Sequence, residues 1–400
     1  MKSCVCWQSH IVSYTLEVMQ IAASPVPLKS VLAASLLTVI GAACFLGTPV
    51  ILAAAVGDLV LSETQVGVLG SALLSGSAIS AVMSAFLVRR YPWRLLAFMA
   101  LLAEASGFLA ASVVDTLPAI LLPIWLASFG GGALYSLAMT VLSDHPQAVR
   151  LFGFAISVQV AFQVLMLLSM PWFMVPGGLA DCLYALLGLC VIGACLVQLL
   201  PVRSAGSTNL DTMSVAEVLN QPKALLCLMA CLVFFISIGA VWAYLERLGT
   251  LSGFAAVQLS QVLAGGVAIS ILGSITAVWQ GSRYGDLLPL GGAGAGMLAA
   301  VVMLQVPMSM MQFFVAFAIF NFFWNYSLSY QYAAVARIDS SGRYVAATPA
   351  FHSIGGAVGP LIAAVFVTSE QLIAVNVVAG IALLISFTLF YMALSTRRHT

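Results

Sequence analysis

The chain has 400 residues, 62% hydrophobic and 7% charged, with a mean hydropathy of +1.10 and a formal net charge of +1. Apolar content so far above that of a soluble domain excludes an ordinary water-soluble globule. With no basic tract and no RNA-binding signature, nucleic acid is not an expected partner.

Residues 1–28 carry Cys4, Cys6, Pro25 and Pro27 and only a short, broken apolar pattern. They are expected to form a cytoplasmic tail, with Met19 as an alternative start, and they hold no cleavable secretory signal. Apolar segments of about twenty residues follow, the length that crosses a hydrocarbon core of about 30 Å. The first set falls at 30–56, 65–88, 95–113, 118–142, 150–175 and 180–200. The second falls at 224–246, 256–279, 287–305, 308–334, 344–367 and 371–394. This predicts an all-α membrane protein with twelve transmembrane helices in two pseudo-symmetric six-helix bundles. The bundles occupy 29–200 and 223–395, with a polar linker at 201–222 and a short tail at 396–400.

Thirteen of the fourteen Lys and Arg residues fall on one side of this arrangement. Arg247 alone falls on the other, with the acids Asp58, Glu63, Asp115, Asp181 and Glu370. The positive-inside rule then places both termini and the linker in the cytoplasm of a bacterial-type inner membrane.

The two sets are related. "FLVRRYPWRLL" (86–96) and "WQGSRYGDLLPL" (279–290) align at an offset of 283 − 90 = 193. Arg343 and Arg150, and Gln258 and Gln65, share that offset. A parallel repeat of six spans suits two bundles rocking about a site between them.

Twelve spans, the repeat and a basic turn after the second span of each half resemble the major facilitator superfamily. Its turn motif runs G-x-L-x-D-R-x-G-R-R. The Arg matches Arg90 and Arg283; the Gly matches Gly285 but is Pro92 in the first copy; the Asp is Arg89 or Ser282. By resemblance, Arg90, Arg94, Arg150, Arg283, Asp286 and Arg343 are assigned to a cytoplasmic gate. The fourth segment, "LASFGGGALYSLAMTVLSD" (126–144), keeps a Gly-rich stretch at Gly130 and Gly132 but has Leu126 where drug exporters often carry Arg. A G-x-x-x-G-P pattern stands in the eleventh segment at Gly355, Gly359 and Pro360. "VWAYLERLG" (241–249) and "FNFFWNYSLSYQYAAVARIDSSGR" (320–343) resemble sugar-efflux-like bacterial members.

An ionisable group within a span is a functional candidate by default. Glu104 lies ten residues past Arg94, about 15 Å deep at 1.5 Å per residue. It reads either as a proton acceptor or as a hydrogen-bonded packing residue. His352, nine residues past Arg343, is the repeat equivalent of Gln159. With Gln163 one turn on, these form polar patches for substrate or proton, or else plain interhelical hydrogen bonds. In the tenth segment Asn321 and Asn325 are spaced i, i+4, with Ser329 and Tyr332 continuing the face. Lining of a central cavity and interhelical bonding are the two readings. Tyr135, Trp324 and Tyr326 supply aromatic walls or core. Glu246 and Arg247 stand near the outer surface as an external gate or a solvated pair, and Glu246 joins Glu104 and His352 as a candidate for proton coupling.

Eight cysteines form no framework, and Cys227 and Cys231 share a helix face without a His or carboxylate to complete a metal site. No metal, cofactor or catalytic cluster is expected. The reading is a monomeric secondary transporter of a small organic solute working by alternating access, with proton-coupled export. Uptake or uniport of an organic acid or sugar, and a transporter-like membrane sensor, are the alternatives.

Overall fold

The structure, a computed structural model, describes residues 27–88, 90–143, 148–173, 177–202, 221–281, 283–338, 343–367 and 372–395. These residues form fourteen helices and no strand, as lipid requires of a chain that must satisfy its own backbone. In the first half they are α1 (Leu28–Gly41), α2 (Ala43–Leu46), α3 (Thr48–Leu59), α4 (Glu63–Leu87), α5 (Trp93–Ala111), α6 (Leu117–Ser143), α7 (Ala148–Trp172) and α8 (Gly178–Val197). The second half holds α9 (Pro222–Leu251), α10 (Ala256–Gln280), α11 (Leu287–Met303), α12 (Met310–Ile338), α13 (Arg343–Phe366) and α14 (Ile373–Ser395). Among the described residues, nine helices are long and apolar enough to cross a membrane, and the chain is an integral membrane protein. α12 has the length but not the hydropathy, since Asn321, Asn325, Ser327, Ser329 and Gln331 interrupt it.

The first predicted span is one membrane passage in three pieces, α1 to α3. Pro49 sits in the first turn of α3 and has no N–H, so the carbonyl of Phe45, four residues back, loses its helical donor. Trp242 Nε1 of α9 replaces it, donating to Phe45 O at 3.0 Å. The next carbonyl, Leu46 O, accepts from Gln163 Nε2 of α7 at 3.3 Å. A broken helix at membrane depth is tolerated where side chains re-satisfy its backbone in this way.

The repeat is exact in register over two helix pairs. α4 and α10 begin and end 193 residues apart (256 − 63, 280 − 87), and α6 and α12 begin 193 apart (310 − 117). The paired glutamines that disclose the repeat have a local task. Gln65 Oε1 accepts from Ser62 N at 2.8 Å, and Gln258 Oε1 accepts from Ala255 N at 3.1 Å, each closing a helix N-terminus. Packing repeats as well: α4 and α5 lie against α6 as α10 and α11 lie against α12, and α5 meets α8 as α11 meets α14.

Small residues set the close approach of α9 to α13. A Cβ on Gly239 would lie 2.1 Å from Gly356 O, and one on Gly355 or Gly359 would meet Leu232 O or Ile236 O at 2.0 and 2.3 Å. The sequence's G-x-x-x-G-P pattern is therefore a packing device within the second half.

Candidate functional site

α1 to α3, α6, α7, α9, α12 and α13 bring polar and aromatic side chains to the middle of the molecule. On the first-half side, Tyr135 is partly buried and its hydroxyl lies toward Gln159. Gln159 Nε2 donates to Thr38 Oγ1 at 3.1 Å, and Thr38 Oγ1 donates to Ser35 O at 2.7 Å. On the other side, His352 Nε2 stands 3.1 Å from Gln331 Oε1, and Gln331 Nε2 donates to Ser327 Oγ at 3.2 Å. Because the amide oxygen only accepts, this pairing assigns the imidazole proton to Nε2. The imidazole also stacks on Phe235 at 4.0 Å and meets Tyr332 edge-on at 5.7 Å.

Gln159 and His352 thus hold equivalent posts. Each sits on the fifth span of its half and contacts the first and fourth spans of that half. The sequence pairs them by number; the structure gives them the same neighbours.

Above these two patches lies a layer of rings. Trp324 meets Phe45, Trp242 and Phe235 at centroid distances of 6.0, 6.1 and 6.3 Å, with interplanar angles of 64° to 83°. Such edge-on contacts are favoured by the ring quadrupole. Trp324 is 7% exposed, and its Nε1 has no hydrogen-bond partner among the described residues.

Among the described residues, Asn321 and Asn325 make no hydrogen bond across helices. Asn321 Nδ2 donates to Phe317 O at 3.0 Å and Asn325 Nδ2 to Asn321 O at 3.4 Å, both within α12. Each amide thus donates back one turn along its own helix. Asn325 and Tyr332 are partly buried and Ser329 is exposed. Tyr326 turns away to α10, bonding Gln280 Oε1 at 2.5 Å.

Glu104 is fully buried but one layer behind this face. Its backbone lies against Gly130 and its Oε1 lies 3.1 Å from where a Cβ on Gly131 would be; that same Cβ would be 2.7 Å from Gly41 O. Neither carboxyl oxygen has a hydrogen-bond partner among the described residues.

At the end of the molecule away from the basic turns, the halves are joined. Arg247 Nε of α9 pairs with Glu63 Oε1 of α4 at 2.5 Å, and Tyr244 Oη donates to Glu63 O at 2.8 Å. Deeper in, Ser71 Oγ of α4 donates to Ala357 O of α13 at 2.9 Å. Glu246 is 5% exposed and accepts from Thr250 Oγ1 at 2.5 Å. The solvated Glu246–Arg247 pair is thus corrected: α9 runs five residues beyond the predicted end at 246, to Leu251, and the two side chains diverge to different partners. Glu63, counted from sequence only as an acid of that side, is the residue missed. Its signal was its place at the first position of a helix opposite the lone arginine of its side.

At the basic end, three side-chain contacts each lie within one half. Arg94 Nε donates to Leu200 O at 2.7 Å, and Arg283 lies 5.5 Å from the centroid of the Trp279 ring. Asp286 bonds Arg337 Nη2 through Oδ1 at 2.9 Å. Burial pushes the Asp286 carboxyl above its ordinary range, and the Arg337 guanidinium partly offsets this. Arg90 is exposed. The side chains of Arg150 and Arg343 lie outside the described residues, as do Arg89 and Glu370.

No family model matches the sequence, and no curated protein matches it. Solved structures match at the level of fold. The nucleoside transporter NupG is 15% identical, with 92% of this chain and 99% of that one covered and a TM-score of 0.70. A bacterial homologue of the human lysosomal transporter Spinster, in an inward-facing and occupied conformation, is 13% identical, with coverages of 92% and 96% and a TM-score of 0.69. A D-xylose–proton symporter is 13% identical, with coverages of 90% and 96% and a TM-score of 0.68. The chain has the major facilitator fold, as the sequence resemblance implies.

Proposed function

We propose that this protein is a secondary transporter of a small organic solute that works by alternating access, with export driven by protons. The supporting observation is the asymmetry of the contacts between halves. Glu63, Ser71, Tyr244, Arg247 and the Trp242–Phe45 bond tie the bundles together at one end. Toward the other end, Tyr135 and Tyr332 are partly exposed and Ser329 is exposed. With the basic end taken as cytoplasmic, these contacts support reading the structure as a state closed on the outer side. The substrate face comprises Tyr135, Gln159, Gln163, Asn321, Trp324, Asn325, Ser329 and His352. In the opposite state the bundles close at the basic end, where Arg90, Arg94, Arg150, Arg283, Asp286 and Arg343 are available as the gate.

Proton coupling is assigned first to Glu104, whose carboxyl lacks partners among the described residues at a depth where an unpaired charge is costly. It reaches the substrate face through Gly131 of α6, packed on Gly41 at the end of α1. His352 lies on the face itself, and Glu246 lies beside the outer closure.

The test is solute counterflow in proteoliposomes, followed by uphill movement under an imposed pH gradient. Exchange of trapped for external solute is expected. Binding of a solute with no exchange would identify a sensor instead.

A further inference from the structure

We propose that Pro49 is a positioning residue for the outer closure. It deprives the Phe45 carbonyl of its helical donor, and so makes the Trp242 indole of the other half a latch that acts only while the halves are closed at that end. The inference rests on the alternating-access reading above and adds a device that selects between its states.

The repeat sets the two partners at matching posts. Pro49 and Trp242 stand 193 residues apart (242 − 49), the offset that α4 and α10 keep, so each holds the same position in the first passage of its half. The two posts have diverged. Pro49 accompanies a passage in three pieces, α1 to α3, whereas α9 runs unbroken for 30 residues. One half therefore presents an acceptor without a helical donor. The other supplies the donor, Trp242 Nε1 to Phe45 O at 3.0 Å.

Both sides of the bond are prepared by their own half. Neighbouring donors of the first half are seated on other carbonyls: Gly47 N on Ala43 O at 2.8 Å, and Thr48 Oγ1 on Cys44 O at 2.8 Å. In the second half the indole lies against Phe317 at 6.1 Å and 21°, and against Trp324 at 6.1 Å and 64°. Its ring is thus held by α12 while its N–H reaches across the seam. Trp242 is fully buried, nine residues before the end of α9 (251 − 242), about 14 Å along the axis.

A buried carbonyl or N–H without a partner is costly where water is excluded. In the closed state one bond satisfies both groups. Parting the halves breaks it, but the same movement admits water, which then serves each group. Deleting the indole N–H therefore destabilises the closed state and leaves the open state nearly unchanged, a shift of about tenfold in their ratio. Any residue but proline at 49 gives Phe45 O a helical donor in both states, and the indole then matters little. A proline that only shapes the passage predicts no such dependence of one residue on the other.

The experiment uses the full chain in lipid nanodiscs, with the native cysteines replaced by serine. Spin labels are placed at Val60→Cys in the first half and Val257→Cys in the second, both exposed at the end away from the basic turns. Pulsed dipolar spectroscopy reads the fraction of molecules with the longer, outward-open separation. Trp242→Phe keeps a ring, deletes the donor and is expected to raise the open-to-closed ratio about tenfold. Pro49→Ala alone should change the ratio little, and beside it Trp242→Phe should lose most of its effect. Pro49→Val, which also restores the N–H, is the second variant if Pro49→Ala lowers the melting temperature. Glu63→Gln, which removes the ion pair of the closure, is the reference for opening.

An effect of Trp242→Phe that persists undiminished beside either proline variant overturns the proposal, as does no effect on the otherwise unmodified chain. If Glu63→Gln yields the longer separation and Trp242→Phe does not, the latch fails and alternating access stands. If no variant yields a second separation, alternating access fails and takes the latch with it.

Discussion

Asp286 is the residue at which burial and pairing oppose each other most openly. It lies in the turn between α10 and α11, outside the spans, and bonds Arg337. Its carboxyl is raised from an ordinary value of 3.8, burial being the larger cause. The folded chain therefore holds this proton more tightly than the unfolded chain does. The contribution to stability is complete below the unfolded value and is lost as the pH rises through the raised one. Asp286→Asn keeps a residue favoured before a helix and removes the buried charge. Its melting temperature relative to the unmodified chain should rise as the pH is taken from about 4 to about 7. A gap that narrows over that range would mean that Arg337 outweighs burial. Gln65 and Gln258 carry a different lesson at this scale. Their repetition at one offset discloses the two related halves, and each closes a helix N-terminus.

At the scale of elements, α9 and α13 depend on glycine. A Cβ at Gly239 would fall 2.1 Å from a backbone oxygen of the facing helix, and a carbonyl cannot swing aside as a flexible side chain can. Gly239→Val should force the helices apart and cost about 1–3 kcal/mol, read as a lowered melting temperature. Gly292, with open space at its Cβ position, is the control; Gly292→Ala should change little. Equal effects at both would remove helix approach as the reason for the glycine pattern. The break between α1 and α3 was not legible from hydropathy, because 30–56 is apolar without interruption. Pro49 marks it, but only the indole of Trp242, 193 residues further along the chain (242 − 49), makes the break tolerable. α12 was the converse case: its amides lower its hydropathy, so that it has the length of a span without the composition of one.

At the scale of the whole molecule, the ion pair between Glu63 and Arg247 joins the halves. Glu63→Gln removes one partner of a largely buried pair and should shift the population toward the outward-open state. With the native cysteines replaced, Ser71→Cys should react with a membrane-impermeant maleimide several-fold faster in the Glu63→Gln background, since Ser71 is 9% exposed behind that closure. Identical rates would mean the pair does not hold the bundles closed. Proton coupling is tested at the same scale. Glu104→Gln should leave counterflow intact and abolish acceleration by a pH gradient. If the gradient still drives transport in that variant, His352→Gln is expected to lose it, and retention in both would end the assignment of either residue.

Hydropathy by itself determined that the chain is an all-helical integral membrane protein, and the 193-residue offset disclosed the repeat that α4 and α10 keep in register. The reason is physical: each passage must satisfy its backbone and meet lipid with apolar atoms, so its length and composition are written locally. Which polar residues meet was decided only in three dimensions. Glu104 and His352 look alike in sequence, each an ionisable group at mid-depth, yet one faces glycines behind α6 and the other the central rings. Arg247 stands beside Glu246 in the chain and pairs instead with Glu63, 184 residues away. Side-chain direction on a helix that is apolar nearly all round leaves little periodic trace, so packing between the two halves alone settles these partners.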